Sequence, residues 1–140
     1  MKKYGVVASR FNQEISRRLV HGAQEFFRRK GIRFLPKDLV WVPGAFELPI
    51  AALRLARTGR YAGIAAVGCI LEGETAHYRY LSAAALNGLM TASLLTGVPM
   101  GCGIVTARAW KTALARSSPK GLNRGREAAA AVWEMAHGSK

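Results

Sequence analysis

GCILEGETAHYRY, running from Gly68 to Tyr80, joins an apolar run to an amphipathic helix through a short polar loop. Ile64 to Leu71 is apolar, Glu72 to Thr75 is polar, and a helix is expected to begin near His77. A strand entering a helix through a glycine turn is where α/β proteins hold anions. The first helical N–H groups lack intrahelical partners there, and the helix dipole favours negative charge. Thr75 stands where an N-cap is wanted. His77 would feel the positive end of the helix, which favours a neutral imidazole able to take and return protons near pH 7. The same residues also fit an ordinary capped helix carrying a surface histidine.

The rest of the chain sets the frame for that loop. Its 140 residues suffice for a single domain, 1–140, with its own core. With 50% hydrophobic and 21% charged residues it is globular, neither disordered nor fibrous. Arg10, Asn12 and Glu14 interrupt any signal-peptide core after the basic start. Leu81 to Ala107 carries no charge, but Ser82, Asn87, Thr91, Ser93, Gly97 and Pro99 break it into a buried helix, a turn and a strand, so no membrane span is expected. Cys69 and Cys102 fall in predicted buried strands and read as small core residues of a reducing, cytoplasmic compartment. No Cys/His cluster suggests a metal. The net charge of +13 invites nucleic acid, acidic lipid or phosphorylated small molecules. It is concentrated in residues 1–35 and 108–140.

Strands and helices alternate. Tyr4 to Ala8 is a short apolar strand followed by Asn12, a possible cap, and by a helix whose apolar face is Ile15, Leu19, Ala23 and Phe26, stopping at Gly31. Leu39 to Val42 is a strand closed by Pro43-Gly44, and Phe46 to Arg57 a helix with Pro49 in its first turn. Tyr61 to Leu71, His77 to Thr96 and Met100 to Thr106 are strand, helix and strand. A short helix, Ala109 to Ala115, and a final one, Asn123 to His137, complete the chain. The order β-α-β-α-β-α-β-α predicts a three-layer α/β/α sandwich with a four-stranded parallel sheet, flavodoxin-like. Ligands in such sheets bind at the C-terminal ends of strands.

Four such ends carry unusual residues. Phe11 could stack on a flat heterocycle, or staple the helix that follows. Glu47, just after the Pro43-Gly44 turn, could accept hydrogen bonds from polyol hydroxyls, or merely complement a helix N-terminus. Arg116 could hold a phosphate bidentately, although any single arginine can be just a solvated charge. Neither the dinucleotide fingerprint nor the P-loop pattern is present, and no nucleophile–histidine–acid order suggests itself.

SRFN at Ser9 to Asn12, WVPGAFELP at Trp41 to Pro49, GCILEGETAHYRY at Gly68 to Tyr80, TGVPMGCGIVT at Thr96 to Thr106, Arg116 and GLNRGREAA at Gly121 to Ala129 together resemble lumazine synthase. The likeness covers nearly the whole chain. It implies condensation of 5-amino-6-(ribitylamino)uracil with 3,4-dihydroxy-2-butanone 4-phosphate, releasing phosphate and water, with no cofactor or metal. By position, the resemblance assigns Phe11 to stacking on the pyrimidine, and Ala45, Phe46 and Glu47 to the ribityl chain and ring edge. Cys69, Ile70 and Leu71 would line the pyrimidine pocket, with Cys102 nearby. Glu74, Thr75 and Arg116 would bind the phosphate, with Arg124 and Glu127 in support, and His77 would move protons. The family also implies pentamers whose sites are shared, Cys102 and Arg116 coming from the adjacent subunit. In many bacterial members these pentamers close into an icosahedral shell, to which the short Ser117–Leu122 loop inclines this chain. Riboflavin synthase is the partner that such a role brings with it.

The chain departs from the family pattern in four places. It opens about ten residues late, Cys102 replaces an aromatic, Arg124 a lysine, and Glu72 an arginine, which reverses a charge beside the phosphate loop. The alternatives are an inactive cage or carrier of the same fold and a basic nucleic-acid-binding protein. Aromatics do not interleave with the basic stretches, which argues against nucleic acid.

Overall fold

In the computed structural model, residues 3–73 and 77–138 are described. Four strands, β1 (Lys3–Ser9), β2 (Leu39–Val42), β3 (Tyr61–Leu71) and β4 (Met100–Ala107), form one parallel sheet in the order β2-β1-β3-β4. The helices are α1 (Gln13–Arg29), α2 (Leu48–Arg57), α3 (Tyr78–Thr96), α4 (Trp110–Ala115) and α5 (Arg124–His137). The architecture is the three-layer α/β/α, flavodoxin-like one that alternation predicts.

Two apolar cores lie on opposite faces of the sheet. On one, Ile15, Leu19 and Phe27 of α1 and Ala129 and Val132 of α5 pack on Val6, Ala65 and Val105. On the other, Leu48 and Ala52 of α2 and Ala85 and Leu89 of α3 pack on Val7, Ile64 and Ala66. β1 and β3 are therefore buried along almost their whole length, as central parallel strands must be. The chain steps from β1 outward to β2, then returns past β1 to β3 and β4. The direction of winding reverses between β1 and β3, and there the helices above the sheet diverge and leave a crevice.

Small residues allow the close contacts. Gly125 of α5 lies directly on the Leu19 carbonyl of α1, where even a methyl group would collide with backbone. Gly88 of α3 likewise receives Pro49 of α2, as the Ala- and Gly-rich composition of α3 leads one to expect.

Several elements depart in detail from the sequence expectations. The predicted helix from Phe46 begins instead as a 3₁₀ turn, Ala45–Glu47, with α2 proper starting at Leu48 and Pro49 held in its first turn. Phe27, not Phe26, completes the buried stripe of α1, and Phe26 is half-buried. Asn12 stands at the N-cap position but does not cap. Its backbone is left-handed (φ 58°), and its side chain reaches elsewhere. Cys102 is exposed, so only Cys69 is a core cysteine. β4 is an edge strand, and alternate residues on one of its faces extend beyond the cover of α3. The proposed Thr75 cap lies outside the described residues.

One buried charge ties the bottom of the sheet together. Asp38 is fully buried and accepts from Lys3 Nζ (2.6 Å), the Leu35 amide (2.8 Å) and the Tyr61 hydroxyl (2.8 Å). Burial opposes its ionisation, but these donors outweigh burial and hold the carboxyl below its usual range. Burial, reinforced by Asp38, pushes the Tyr61 phenol up to about 12. Asp38→Asn is expected to cost about 3 kcal/mol at neutral pH in urea unfolding, because it removes one member of a buried pair. The stability due to Asp38 is complete above the ordinary carboxyl value of 3.8 and is lost as pH falls through the depressed folded value. The variant should therefore show a flatter acid limb. On the alkaline side, the Tyr61 contribution is complete below 10.0 and is lost as pH rises toward about 12.

Candidate functional site

At the C-terminal ends of β1 and β3 the crevice forms a cleft of about 300 Å³. The backbone beyond β1 keeps pairing with that beyond β2: the Arg10 amide donates to Val42 O (2.8 Å) and the Phe11 amide to Pro43 O (3.2 Å). This holds Phe11 over the cleft. Asn12 then crosses the switch point, its Nδ2 donating to the Cys69 carbonyl at 3.0 Å. A left-handed asparagine is tolerable and uncommon, and here it is what lets one side chain clasp β1 to β3.

The cleft brings together six of the residues singled out from sequence: Phe11, Ala45, Phe46, Cys69, Ile70 and Leu71. Phe11 and Phe46 are 56% and 66% exposed, an unfavourable state for two rings facing one hollow unless something flat covers them. The walls are otherwise aliphatic, with Pro43, Gly44 and Leu81 completing them. Leu81 was missed in the sequence. The available signal was its spacing from His77, since the Leu81 amide donates to the His77 carbonyl (2.8 Å) one helical turn away. That bond sets His77, exposed at the N-cap of α3, one turn from the cleft wall, with its ring 6.0 Å from that of Tyr80.

Other predicted residues lie apart from the cleft. Glu47 lines a neighbouring hollow of about 500 Å³ with Trp41, Ile50 and Arg54, which meets the first at Pro43. One of its oxygens, Oε1, accepts from the Gly44 amide at 2.9 Å and closes the 3₁₀ turn. The helix-end role considered from sequence is thus present, and Oε1 alone is engaged by it. Cys102 and Arg116 do not line the cleft either. Cys102 is on edge strand β4, and Arg116 ends α4 with Nη1 donating to the Thr106 carbonyl at 3.1 Å. Arg124 and Glu127 pair with each other at 2.7 Å in the first turn of α5, an exposed contact of small energy. Glu74 and Thr75 lie outside the described residues.

Glu72 has a local partner. Its carboxylate meets Arg108 Nε at 3.3 Å, and its amide donates to Ala107 O at 2.8 Å. The negative charge is therefore turned toward the end of β4, where a cation offsets it. Among the described residues no group of three or more His, Cys, Asp or Glu could hold a metal ion, and no helix is long and apolar enough to cross a membrane.

The arrangement is a slot for a flat ring, polar backbone at its ends, a histidine one turn away, and an arginine displaced to the far edge of the sheet. Comparison with known proteins gives the chain's relationships. The family model for 6,7-dimethyl-8-ribityllumazine synthase matches residues 1–140. A relative named 6,7-dimethyl-8-ribityllumazine synthase 1, from Caulobacter vibrioides, is 43% identical over 127 residues, covering 91% of this chain and 83% of that protein. Another, named 6,7-dimethyl-8-ribityllumazine synthase, from Nitratidesulfovibrio vulgaris, is 43% identical over 132 residues, covering 94% and 85%. With the family model spanning its full length and both relatives sharing its sequence nearly end to end, the chain belongs to the 6,7-dimethyl-8-ribityllumazine synthase family of enzymes.

Proposed function

We propose that the protein condenses 5-amino-6-(ribitylamino)uracil with 3,4-dihydroxy-2-butanone 4-phosphate to 6,7-dimethyl-8-ribityllumazine, releasing phosphate and water, as the penultimate step of riboflavin biosynthesis. The observation that carries this is the cleft at the β1/β3 switch point, where two exposed phenylalanines face an aliphatic wall. The pyrimidine lies against Phe11, and the backbone of Cys69, Ile70 and Leu71 reads its edge. The ribityl chain runs past Ala45 and Phe46 toward Glu47, whose carboxylate has a second oxygen for a hydroxyl while the first holds the turn. Glu74, Thr75 and Arg116 hold the butanone phosphate, and Arg124 and Glu127 support that end.

The chemistry follows from positioning and proton transfer. The 5-amino group adds to the ketone and a first water leaves to give the imine. Loss of phosphate and tautomerisation then leave a carbonyl on the neighbouring carbon, and the ribitylamino nitrogen closes the ring on it with loss of a second water. His77 takes and returns the protons. Such a group contributes about 10²–10⁴-fold in rate, and holding two substrates in register contributes more. The residues named suffice for these steps without a cofactor or metal. The protein acts in the cytoplasm as one domain, 1–140, and riboflavin synthase is the partner that would consume its product.

The site is completed by a second copy of the chain, and the assembly is a pentamer. Two features support this. Cys102 on edge strand β4 and Arg116 at the end of α4, bonded to the Thr106 carbonyl of that strand, stand away from their own cleft. Beside them α3 exposes an uncharged face including Met90, Leu94 and Leu95, at 64%, 78% and 68%. The Ser117–Leu122 loop is short and tied down by Arg126, which donates to Gly121 O and Pro119 O, and this is compatible with further closure of pentamers into an icosahedral shell.

Mixing both substrates with the protein should give the absorbance of the lumazine. Folded wild-type protein that forms no product would refute the enzymatic assignment. His77→Ala should lower kcat by about 10²–10⁴-fold with unchanged circular dichroism. Shared sites make a further prediction. His77→Ala and Arg116→Ala, each poorly active alone, should recover activity when refolded together, because some sites then combine an intact His77 with an intact Arg116. Failure to complement would place Arg116 in its own subunit's site. Leu94→Glu should reduce the particle to smaller species in light scattering, since it buries a charge in the contact.

A further inference from the structure

We propose that the pole of the molecule opposite the substrate cleft binds single-stranded nucleic acid through its phosphodiester backbone. The helices that cover a parallel sheet run against its strands. The C-terminal ends of α1, α2 and α5 therefore gather at the end of the sheet where the strands begin. Contacts fix this grouping. The Lys3 amide donates to Arg60 O (2.9 Å), Tyr61 bonds Asp38, and Lys30, Ala62, Trp133 and His137 line one hollow. Seven cations are thereby collected at one end, all exposed: Arg28, Arg29 and Lys30 beside Arg33, Lys37, Arg57 and Arg60.

Little negative charge opposes them. Asp38 is buried and already consumed by Lys3 and Tyr61. Glu25 answers Arg29 at 3.6 Å but shares its carboxylate with Arg126 at 3.4 Å. Glu134 is the other acid near this end. Among the described residues, the remaining six cations form no salt bridge. Helix C-termini favour cations, and that accounts for Arg28, Arg29 and Arg57. It does not account for Arg33 and Arg60, which follow those helices in loops; Lys37 lies in the short 3₁₀ turn Pro36–Asp38.

The chemistry selects the partner, and it overturns the sequence expectation against nucleic acid because folding brings Trp133 and His137, distant in the chain, beside Lys30. Five of the seven cations are arginines, whose planar fork matches phosphate oxygens bidentately. The aromatic rings at this pole, Tyr4, Phe26 and Trp133, are buried or half-buried, so none is free to insert into a bilayer. The hollow beneath the charges, about 370 Å³, holds the His137 ring stacked on Trp133 at 3.8 Å, with Lys30 Nζ 5.7 Å from the Trp133 centroid. An exposed ring stacked on Trp133, with Lys30 lining the same hollow, suits an unpaired base, which a duplex does not present.

The test is fluorescence anisotropy of a labelled single-stranded oligothymidylate titrated with the assembled full chain across a salt series. The expected log–log slope is about −3, corresponding to about four phosphates at roughly −0.7 each. Arg57→Glu combined with Arg60→Glu should weaken binding about ten-fold, with lumazine formation unchanged. Lys111→Glu, a charge reversal on α4 at the cleft end, should change it less than about two-fold. Absence of binding at about 50 mM salt would overturn the proposal. So would equal losses in the two variants, which would make the attraction diffuse. Duplex DNA bound as tightly as the single strand would overturn the single-strand assignment. Anionic phosphatidylserine vesicles bound in preference to the oligonucleotide would transfer the surface to a membrane.

Discussion

A parallel sheet must be covered on both faces, and nearly every feature of this chain follows from that constraint. β1 and β3 are buried along almost their full length, so neither can carry a functional side chain in its middle. The left-handed Asn12 and the exposed Phe11 and Phe46 stand just beyond where strands end. The reversal of winding between β1 and β3 opens the covering layer at one point. The Asn12 clasp to Cys69 sits there, and Phe11, Phe46, Ile70 and Leu71 gather around it. The position of the cleft is thus a consequence of strand order.

The same constraint divides the charge. Strands and helices run oppositely, so one end of the sheet collects helix starts and the other collects helix ends. The start end can hold anions and carries the cleft. The other end has the buried Asp38 cluster at its centre and unanswered arginines around it. Asp38 neutralises Lys3 and fixes Tyr61 without offering anything to the exposed cations beyond. Part of the high net charge is therefore gathered at the end of the sheet away from the cleft. Along the sheet edge at β4, by contrast, α3 carries no charge after Arg79 and leaves Met90, Leu94 and Leu95 exposed.

Element order and the cleft's apolar lining were legible in the residues. β2 and β3 fall on the predicted limits because Pro43-Gly44 and Thr58-Gly59 punctuate them sharply. Gly31 ends α1 as expected because it takes the left-handed conformation that the stop requires (φ 80°). Phe11 could be singled out in advance because it follows a strand end, and strand ends of a parallel sheet converge, whereas Ala45, Phe46 and Cys69 to Leu71 were named only through the resemblance to the family. Leu81 was missed, although it stands one helical turn beyond His77.

What sequence by itself determined was therefore the periodic part of the protein: alternation, two-faced burial, and which residues stand at the mouths of strands. These depend on neighbours within a turn or a strand pair. The tertiary structure alone decided where the polar partners lie. Asn12 prefers the Cys69 carbonyl, 57 residues away, to its own helix. Glu72 is answered by Arg108, Glu47 has an oxygen taken by Gly44, and Cys102 is bared by the edge position of β4. A polar side chain has several partners of similar energy within reach. Only the packed backbone determines which of them is close enough to bond.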